Sequence, residues 1–228
     1  MEKVPGKAGV TRQKVRELWK DFRQLTRVSG SAPGPPHSDE GLVVRARAGE
    51  REAFAAIYHR YHVGIYHFAR AMTGSTTLAE DVTQEVFLEL LRTLDRYDSR
   101  RGALSTYLYG ITRNVCRHKL RRERRFVGFD LGTGEPESAD DPSDPVLRSQ
   151  TVARVRAFIK ALPEPYREVL VLCDLQGMSY DAAAAVVDAP VGTIRSRLHR
   201  ARQQLAERIT QADEQPASIR GRASKCLT

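Results

Sequence analysis

Apolar side chains recur along this chain with the three-to-four-residue spacing of amphipathic helices. In the first half, three such sets are Ala53, Phe54, Ile57, Tyr61, Ile65 and Phe68; Val82, Val86, Leu90 and Leu94; and Leu104, Leu108, Ile111 and Val115. In the second half, three more are Val155, Phe158, Ile159 and Leu162; Tyr166, Val169, Leu170 and Cys173; and Val191, Ile194, Leu198, Ala201 and Leu205. Strand-like alternation of useful length is absent, so the pattern predicts an all-α fold.

Two stretches rich in Gly, Pro and Ser interrupt the helical pattern, at residues 29–38 and 128–145. In the N-terminal arm, the apolar stripe from Val15 to Leu25 predicts one further helix, which carries Trp19. The interruptions divide the chain into five parts: a basic arm with its linker (1–38), a first helical domain (39–126), an acidic linker (127–149), a second helical domain (150–210) and a tail (211–228).

Charge is distributed very unevenly over the 228 residues, whose formal net charge is +9. From Ser99 to Arg125 there are nine basic residues and one acidic residue, whereas residues 126–150 hold one basic and six acidic residues. Such a basic block suits phosphate binding, although similar runs are often solvated helix faces. No apolar run approaches the ~18 residues that a membrane span needs, and the N-terminus lacks a secretion signal. We therefore expect a cytoplasmic protein.

The helix predicted over residues 78–94 carries a second face opposite its apolar side. Asp81, Gln84, Glu85 and Leu88 follow the i, i+3, i+4, i+7 spacing and share this face. An acidic patch that contains one leucine is either a solvated surface or a docking surface for a partner.

The next helix, which begins near Leu104, runs into the basic block. Its outer face collects Gly110, Arg113, Asn114, Arg117, Arg121 and Arg124, with no acid among them. Arginine suits phosphate and guanine, asparagine suits adenine, and glycine permits close approach. Tyr97, Tyr107 and Tyr109 precede or begin this helix, where they either stack on unpaired bases or fill the core.

The second helical domain contains helix-turn-helix spacing. Ser179 can cap a short helix over residues 180–187, and Asp188-Ala189-Pro190 forms a tight turn before the last helix. Side chains near the start of a recognition helix reach base edges in the major groove of duplex DNA. On that helix Thr193, Ser196, Arg197 and Arg200 face outward, flanked by Arg195 and Arg202.

Two long motifs resemble one known family. The segment AEDVTQEVFLELLRTLDRYDSRRGALSTYLYGITRNVCRHKLRR is similar to the first conserved domain of the extracytoplasmic-function (ECF) sigma factors of bacterial RNA polymerase. The segment LPEPYREVLVLCDLQGMSYDAAAAVVDAPVGTIRSRLHRARQQL is similar to their second conserved domain. The resemblance covers about residues 39–210. It implies a sigma region 2 helical bundle and a sigma region 4 helix-turn-helix domain, joined by a flexible acidic linker.

The resemblance also implies a role for each surface. Core polymerase would bind Asp81, Gln84, Glu85 and Leu88. The −10 promoter element would be opened and held by Tyr107, Tyr109, Arg113, Asn114, Arg117, Arg121 and Arg124, with a flipped base in the loop before Leu104. The −35 element would be read as duplex by Thr193, Arg195, Ser196, Arg197 and Arg200. Acidic residues 130–144 would run toward the RNA exit path, and an anti-sigma factor is a further partner that the family admits.

Four positions depart from the family pattern. Tyr107 stands where tryptophan is usual, Ala182 and Ala183 stand where acidic residues are common, and Asp188 replaces a turn glycine. Asp tolerates the left-handed conformation better than most residues, so we expect the turn to be kept.

Two other functions compete with a non-catalytic initiation subunit. A stand-alone helix-turn-helix regulator would bind duplex DNA without polymerase, but it would need a sensor or dimerisation domain. A DNA recombinase-type enzyme would need a nucleophile among arginines or a set of metal-binding carboxylates, and neither is evident. His59, His62 and His67 share one helix, but ordinary packing accounts for them better than a metal does. The three cysteines lack metal-ligand spacing, and we expect no cofactor, metal or small-molecule substrate.

Overall fold

A computed structural model describes residues 38–127 and 146–214, and all regular structure within these ranges is helical. The α-helices of the described residues are α1 (Asp39–Arg47), α2 (Arg51–Thr73), α3 (Thr76–Thr93), α4 (Leu104–Val127), α5 (Val146–Lys160), α6 (Glu164–Leu170), α7 (Tyr180–Val187) and α8 (Val191–Glu214). Two single 3-10 turns (Leu94–Arg96 and Ser99–Arg101) precede α4, and a π-helical segment (Val171–Leu175) follows α6. The all-α prediction is confirmed.

The predicted N-terminal helix with Trp19, the acidic linker segment at 130–144 and the tail beyond Glu214 lie outside the described residues. We call residues 38–127 the first module and residues 146–214 the second module. The helices extend past the expected domain limits, because α5 begins at Val146 and α8 continues to Glu214.

Local sequence signals begin and end the helices. The α2 helix ends at Gly74, whose φ of 75° is the left-handed cap conformation that glycine adopts without strain. Ser75 then caps α3 by accepting a hydrogen bond from the Leu78 amide at 3.3 Å. Ser179 caps α7 in the same way, with the Ala182 amide donating to its hydroxyl at 3.2 Å.

The apolar stripes of the sequence form the core. In the first module α2, α3 and α4 pack on one another, with Ile57, Val82 and Leu104 fully buried. In the second module α6 and α7 pack on α8, with Val169, Ala183 and Ile194 fully buried. No helix of the described residues is long and apolar enough to cross a membrane.

The two modules also pack against each other. The buried apolar side chains of both form one continuous cluster, with α4 lying on α7 and α2 lying on α5 and α6. An Arg167 guanidinium nitrogen donates to the carbonyl oxygen of Met72, at the end of α2, at 2.7 Å. This contact between modules was not anticipated from the sequence.

Candidate polymerase and nucleic-acid interfaces

The outer face of α3 carries an acidic patch with two exposed leucines. Asp81, Gln84 and Leu88 are exposed, as expected, and Leu88 retains 53% of its accessible surface. Glu85 is half-buried, and its carboxylate forms an ion pair with the Lys119 ammonium of α4 at 2.9 Å. Sequence reasoning missed Leu91, which is also 53% exposed. Its position three residues after Leu88 is the signal that could have found it. Two exposed leucines beside carboxylates favour a docking surface over a purely solvated one.

The basic face of α4 is divided into an open and a covered part. Asn114 and Arg121 are exposed, and so are the neighbouring Arg122 and Arg125. Arg113 retains only 14% side-chain exposure because its Nε donates to Glu168 Oε1 of the second module at 2.9 Å. Arg117 is half-buried beside Glu164, with 3.2 Å between Nε and Oε1.

These ion pairs correct one sequence-based expectation. No acid interrupts the basic face within α4 itself, but two acids reach it from α6. Arg124 lies near the end of α4, and its side chain is outside the described residues.

The tyrosines near the start of α4 have different environments. Tyr109 is 6% exposed, its ring meets the Phe68 ring edge-on, and its hydroxyl donates to Gln176 Oε1 at 2.7 Å. Burial raises the pKa of this hydroxyl. Tyr109 is therefore a core residue that cannot stack on a base in this arrangement, which corrects the sequence-based expectation. Tyr107 is half-buried, with its ring 5.4 Å from the ring of Tyr97.

A cavity of about 730 Å³ opens between α3, α4 and the loop that precedes α4. Tyr107, Gly110 and Asn114 contribute to its wall from α4, and Arg92 and Arg96 from the opposite side. The loop that was expected to receive a flipped base forms part of the same wall, through Asp98, Arg101 and Gly102. A cavity lined by two tyrosine rings, an amide and several guanidinium groups can accept a base together with its phosphate.

Internal hydrogen bonds hold this loop in place. The Tyr97 hydroxyl donates to the Gly102 carbonyl at 3.1 Å, and the Arg47 guanidinium donates to the Leu94 carbonyl at 2.8 Å. Arg100 pairs with Asp98 at 3.1 Å and lowers the pKa of that carboxyl. A pre-formed loop loses little conformational entropy when a ligand binds.

The first turns of α8 present the expected polar residues to solvent. Arg195, Ser196 and Arg200 are exposed, while Thr193 and Arg197 are half-buried. Within the described residues, no ion pair with a carboxylate is found for Arg195, Arg197 or Arg200. These guanidinium groups can therefore meet DNA without moving another part of the described chain.

The turn that directs α8 has the conformation expected of helix-turn-helix spacing. Asp188 adopts the left-handed conformation with φ of 53°, which confirms that Asp keeps the turn. The Pro190 carbonyl then accepts from the amides of Thr193 and Ile194 at 2.8 and 3.2 Å, so α8 starts at the next residue.

An ion pair between the half-exposed Arg202 and a buried carboxylate fastens α8 to its own module. Both nitrogens of the Arg202 guanidinium fork bind the Asp174 carboxylate, at 2.9 and 2.5 Å. Asp174 is 4% exposed and lies in the π-helical segment. Arg202, expected to flank the DNA-reading face, therefore holds the recognition helix in position.

Neither the histidines nor the cysteines of the described residues form a metal site. No group of three or more His, Cys, Asp or Glu side chains that could hold a metal ion occurs in the described ranges. His62 stacks on Tyr58, with ring centroids 4.8 Å apart. Burial raises the pKa of the Cys116 thiol to about 12 and that of Cys173 to about 11, so neither is a reactive thiolate near neutral pH. Cys226 lies outside the described residues.

Two family models match this chain. Residues 57–126 match sigma-70 region 2, and residues 153–205 match sigma-70 region 4. The first match contains the α4 face and all of α3, and the second contains the helix-turn-helix.

Curated relatives match over most of their length. The ECF RNA polymerase sigma factor SigE of Mycolicibacterium smegmatis is 30% identical, with 80% of this chain and 73% of that protein covered. The RNA polymerase sigma-H factor of Pseudomonas aeruginosa is 32% identical, with 72% and 90% covered.

Solved structures with a similar fold are complexes. CnrH bound to the cytosolic domain of CnrY is 28% identical, with a TM-score of 0.59 over 75% of this chain and 96% of that one. The sigma factor RpoE of Bartonella quintana, bound to the anti-sigma factor NepR, is 25% identical, with a TM-score of 0.61 over 70% and 98%.

Proposed function

The chain belongs to the ECF sigma factors of RNA polymerase, and from this premise we propose which of its surfaces contacts each partner. As a sigma factor it binds core RNA polymerase and promoter DNA and serves in transcription initiation. The observation that carries the residue-level proposal is that polar clusters of three different chemistries reach the surface at separate places in the fold. They are the acidic and leucine-bearing face of α3, the basic face of α4 with its cavity, and the first turns of α8.

The outer face of α3 docks on core polymerase. Asp81, Gln84 and Glu85 supply charge and hydrogen bonds, while Leu88 and Leu91 supply apolar area. Buried leucines beside charged rim residues are the usual anatomy of a protein interface. The exposed leucines would then be covered only in the complex.

The cavity beside α4 takes part in opening the −10 element. Duplex opening exposes bases that need a stacking partner and hydrogen bonds, which offset a few kcal/mol of unstacking per base. Tyr107 and Asn114 line the cavity and can supply them, while Arg117 and Arg121 hold the adjacent phosphates. We leave Tyr109 out of this set because it is buried. Arg113 can contact DNA only when its ion pair with Glu168 is broken.

The first turns of α8 read the −35 element in the major groove. Thr193, Arg195, Ser196, Arg197 and Arg200 lie within the first ten residues of the helix, where side chains reach base edges. Tyr180 also lies near this surface, with the Arg195 guanidinium 6.0 Å from its ring centroid. It was not among the expected residues.

The remaining expectations complete the proposal. The first domain spans 39–126, the acidic linker 127–149 and the second domain 150–210, and the protein acts in the cytoplasm without enzymatic activity of its own. CnrH is bound by the cytosolic domain of CnrY, and the Bartonella RpoE is bound by the anti-sigma factor NepR. An anti-sigma factor is accordingly a partner that we propose for this chain as well.

Run-off transcription tests the central proposal. Purified core polymerase with this chain is expected to give specific transcripts from fragments of the source genome, whereas core polymerase alone gives none. Absence of any specific transcript would overturn the proposal.

The docking surface is tested separately by charge removal. The double variant Asp81→Ala with Glu85→Ala should weaken capture of core polymerase about thirtyfold, because two charged contacts of roughly 1 kcal/mol each are lost. The matched control, Glu52→Ala with Glu207→Ala, removes the same charge from exposed positions elsewhere. Equal capture of both double variants would show that α3 does not dock.

A further inference from the structure

The loop between α3 and α4, residues 94–103, is held by a side chain of α1. Arg47 is the last residue of α1, and its guanidinium binds main-chain carbonyl groups of this loop. Its Nε and Nη2 donate to the Leu94 carbonyl at 3.1 and 2.8 Å, and Nη2 also donates to the Tyr97 carbonyl. One planar guanidinium thus ties together the first and fourth residues of the loop.

These carbonyl groups lie where a helix ends. The α3 helix ends at Thr93 and the 3-10 turn Leu94–Arg96 follows, so the last carbonyl groups have no further α-helical turn to supply amides. The Leu94 carbonyl also accepts the Tyr97 amide at 3.2 Å, which closes the turn. A cationic donor at this end of a helix is favoured by hydrogen bonding and by the helix dipole. Arg47 therefore caps α3 from a different helix.

The helix that carries this guanidinium is itself fixed in the first module. Leu42 and Val43 of α1 are buried, and Asp39 at the start of α1 forms an ion pair with Arg60 of α2. The Tyr61 hydroxyl of α2 donates to the same carboxylate. Because α1 is anchored in this way, the loop cannot shift relative to the module without breaking charge-assisted hydrogen bonds.

The rest of the loop is held by its own residues. The Tyr97 hydroxyl donates to the Gly102 carbonyl at 3.1 Å. Gly102 has φ of 153° and ψ of 165°, a conformation that glycine alone adopts readily. Between these points the Asp98 carboxylate accepts the Arg100 amide at 3.0 Å. Arg47 adds the contact from outside the loop, at its start.

The loop forms part of the cavity wall, whereas Arg47 does not. Arg96, Tyr97, Asp98 and Gly102 line the cavity of about 730 Å³, and Arg47 is not among its lining residues. Arg47 also precedes the residues that match the sigma-70 region 2 model, 57–126. Its influence on a base in the cavity therefore passes through the main chain of the loop.

We propose that Arg47 is a positioning residue for the base that the cavity takes from the −10 element. It fixes the main chain of the loop so that the cavity has its binding shape before the base enters. A loop positioned in advance loses little conformational entropy on binding. Without Arg47, part of the binding free energy of the base is used to order the loop. This inference rests on the assignment of the cavity to the −10 element under the proposed function.

The order of the loop is tested in the full chain without polymerase. Hydrogen–deuterium exchange of amides 95–102 reports how firmly the loop is held. Arg47→Ala should speed this exchange on the order of tenfold, because charged hydrogen bonds are lost. Arg45→Ala is the matched control, since Arg45 lies on the same helix but pairs with Glu50 at 2.7 Å. Equal exchange in the wild type and Arg47→Ala would overturn the proposal.

The effect on the base is tested with the polymerase holoenzyme. The probe is a fork-junction DNA from a promoter identified by run-off transcription, with an abasic site at each unpaired −10 position in turn. In the wild type, loss of the base that enters the cavity should lower affinity on the order of tenfold. Arg47→Ala should shrink this one loss to about threefold or less, because base and arginine act together. Arg45→Ala should keep the wild-type profile.

A general folding defect, or a direct contact of Arg47 with a phosphate, would give a different result. Either would lower affinity for every probe by the same factor and leave the abasic losses at their wild-type size, which would overturn the positioning role. Arg47→Lys keeps the charge but lacks the planar fork, so it should restore a phosphate contact and should not restore the abasic loss. Full recovery of that loss in Arg47→Lys would also contradict the proposal.

The outcomes distinguish this inference from the proposed function. If no abasic position lowers the affinity of the wild-type holoenzyme, the assignment of the cavity to the −10 element fails. The same holds if run-off transcription identifies no promoter. The exchange measurement still decides in both cases whether Arg47 holds the loop. A wild-type abasic loss that Arg47→Ala leaves unchanged would overturn the positioning role and keep the proposed function.

Discussion

The basic faces of α4 and α8 look alike in the sequence and differ in the folded chain. Each follows an apolar stripe, and each places several arginines on the side away from it. On α8 the DNA-facing arginines reach solvent, and Arg202 binds an acid of its own module. On α4 the equivalent restraint comes from the other module, through Glu168 and Glu164.

This difference teaches that accessibility is set by which helices lie beside the charged face and not by the charge pattern. The α8 helix packs on α5, α6 and α7, all of its own module. The α4 helix packs on α2 and α3 of its own module and also on α7 of the other. The second module therefore covers part of the basic face of α4, whereas the polar side of the first turns of α8 stays open to solvent.

The largest effect is expected at the ion pair that anchors α8. Arg202→Ala leaves the buried Asp174 carboxylate without its partner and should lower the free energy of unfolding of the second module by about 3 kcal/mol. Arg113→Ala should instead separate the modules and leave each of them folded, because the pair it breaks joins the two. Chemical denaturation followed by circular dichroism measures the free energy of unfolding of both variants. Gln203→Ala, at an exposed position, is the control on α8. Comparable loss of unfolding free energy in Gln203→Ala and Arg202→Ala would refute the anchoring role.

The next effect concerns sequence reading by α8. Arg197→Ala or Arg200→Ala should cost about 1–3 kcal/mol in promoter binding by the holoenzyme and relax selectivity at one −35 position. Arg51→Ala removes an exposed arginine from the start of α2 and serves as the control. The measurement is holoenzyme binding to a set of promoters with single −35 substitutions. A uniform loss across all sequences would mean that the arginine contacts phosphate alone.

A smaller effect is expected at the turn that aims α8. Asp188 occupies the left-handed region, so Asp188→Gly removes backbone strain and should raise the free energy of unfolding by up to about 1 kcal/mol. Asp181→Gly, in the first turn of α7, should have the opposite sign, because glycine lowers helix stability. Thermal melts of the two variants check this, and a shift in the same direction for both would contradict it.

The smallest effect is a pH dependence of the contact between modules. Burial, together with the charge of Arg156 on α5, lowers the pKa of His67 on α2, whose ring also meets the Tyr66 ring at 5.4 Å. The packed arrangement of the two modules therefore favours neutral His67. The contribution of neutral His67 to the stability of this packing is fully present above the ordinary histidine pKa of about 6.5, and it is lost as the pH falls below that value toward the lowered pKa.

Scattering measured across about pH 5 to 8 should show the chain expanding on the acidic side. His67→Gln should flatten this dependence, whereas His199→Gln, at an exposed site on α8, should not change it. An identical pH profile in wild type and His67→Gln would exclude His67 as the titrating group.

Much of the fold followed from local rules. The apolar stripes fixed which sides of α2, α3 and α8 are buried, and the cap at Ser179 and the turn at Asp188 appeared where the sequence indicated. These features depend on residues a few positions apart, so a helical period and a capping rule suffice to find them. The surface positions of Asp81, Gln84 and Leu88 on α3 followed for the same reason.

Other features depend on residues that are far apart in the chain. Tyr109 and Gln176 are 67 positions apart, and Arg113 and Glu168 are 55 apart. Tyr109 looked like a stacking residue because its helix is basic, but it is buried because α2 and the second module meet over it. Leu91 was overlooked for a different reason, since a leucine beside an apolar stripe looks like core until the packing angle of the helix is known.

The sequence by itself determined that this chain folds into helices, which side of each helix is apolar, and that it carries the two conserved segments of an ECF sigma factor. Only the tertiary structure decided which arginines are open to solvent and which are paired with acids, because pairing across two modules depends on how they pack. Hydrophobic periodicity reports which side of a helix is buried, but it carries no information about which other helix covers the opposite side.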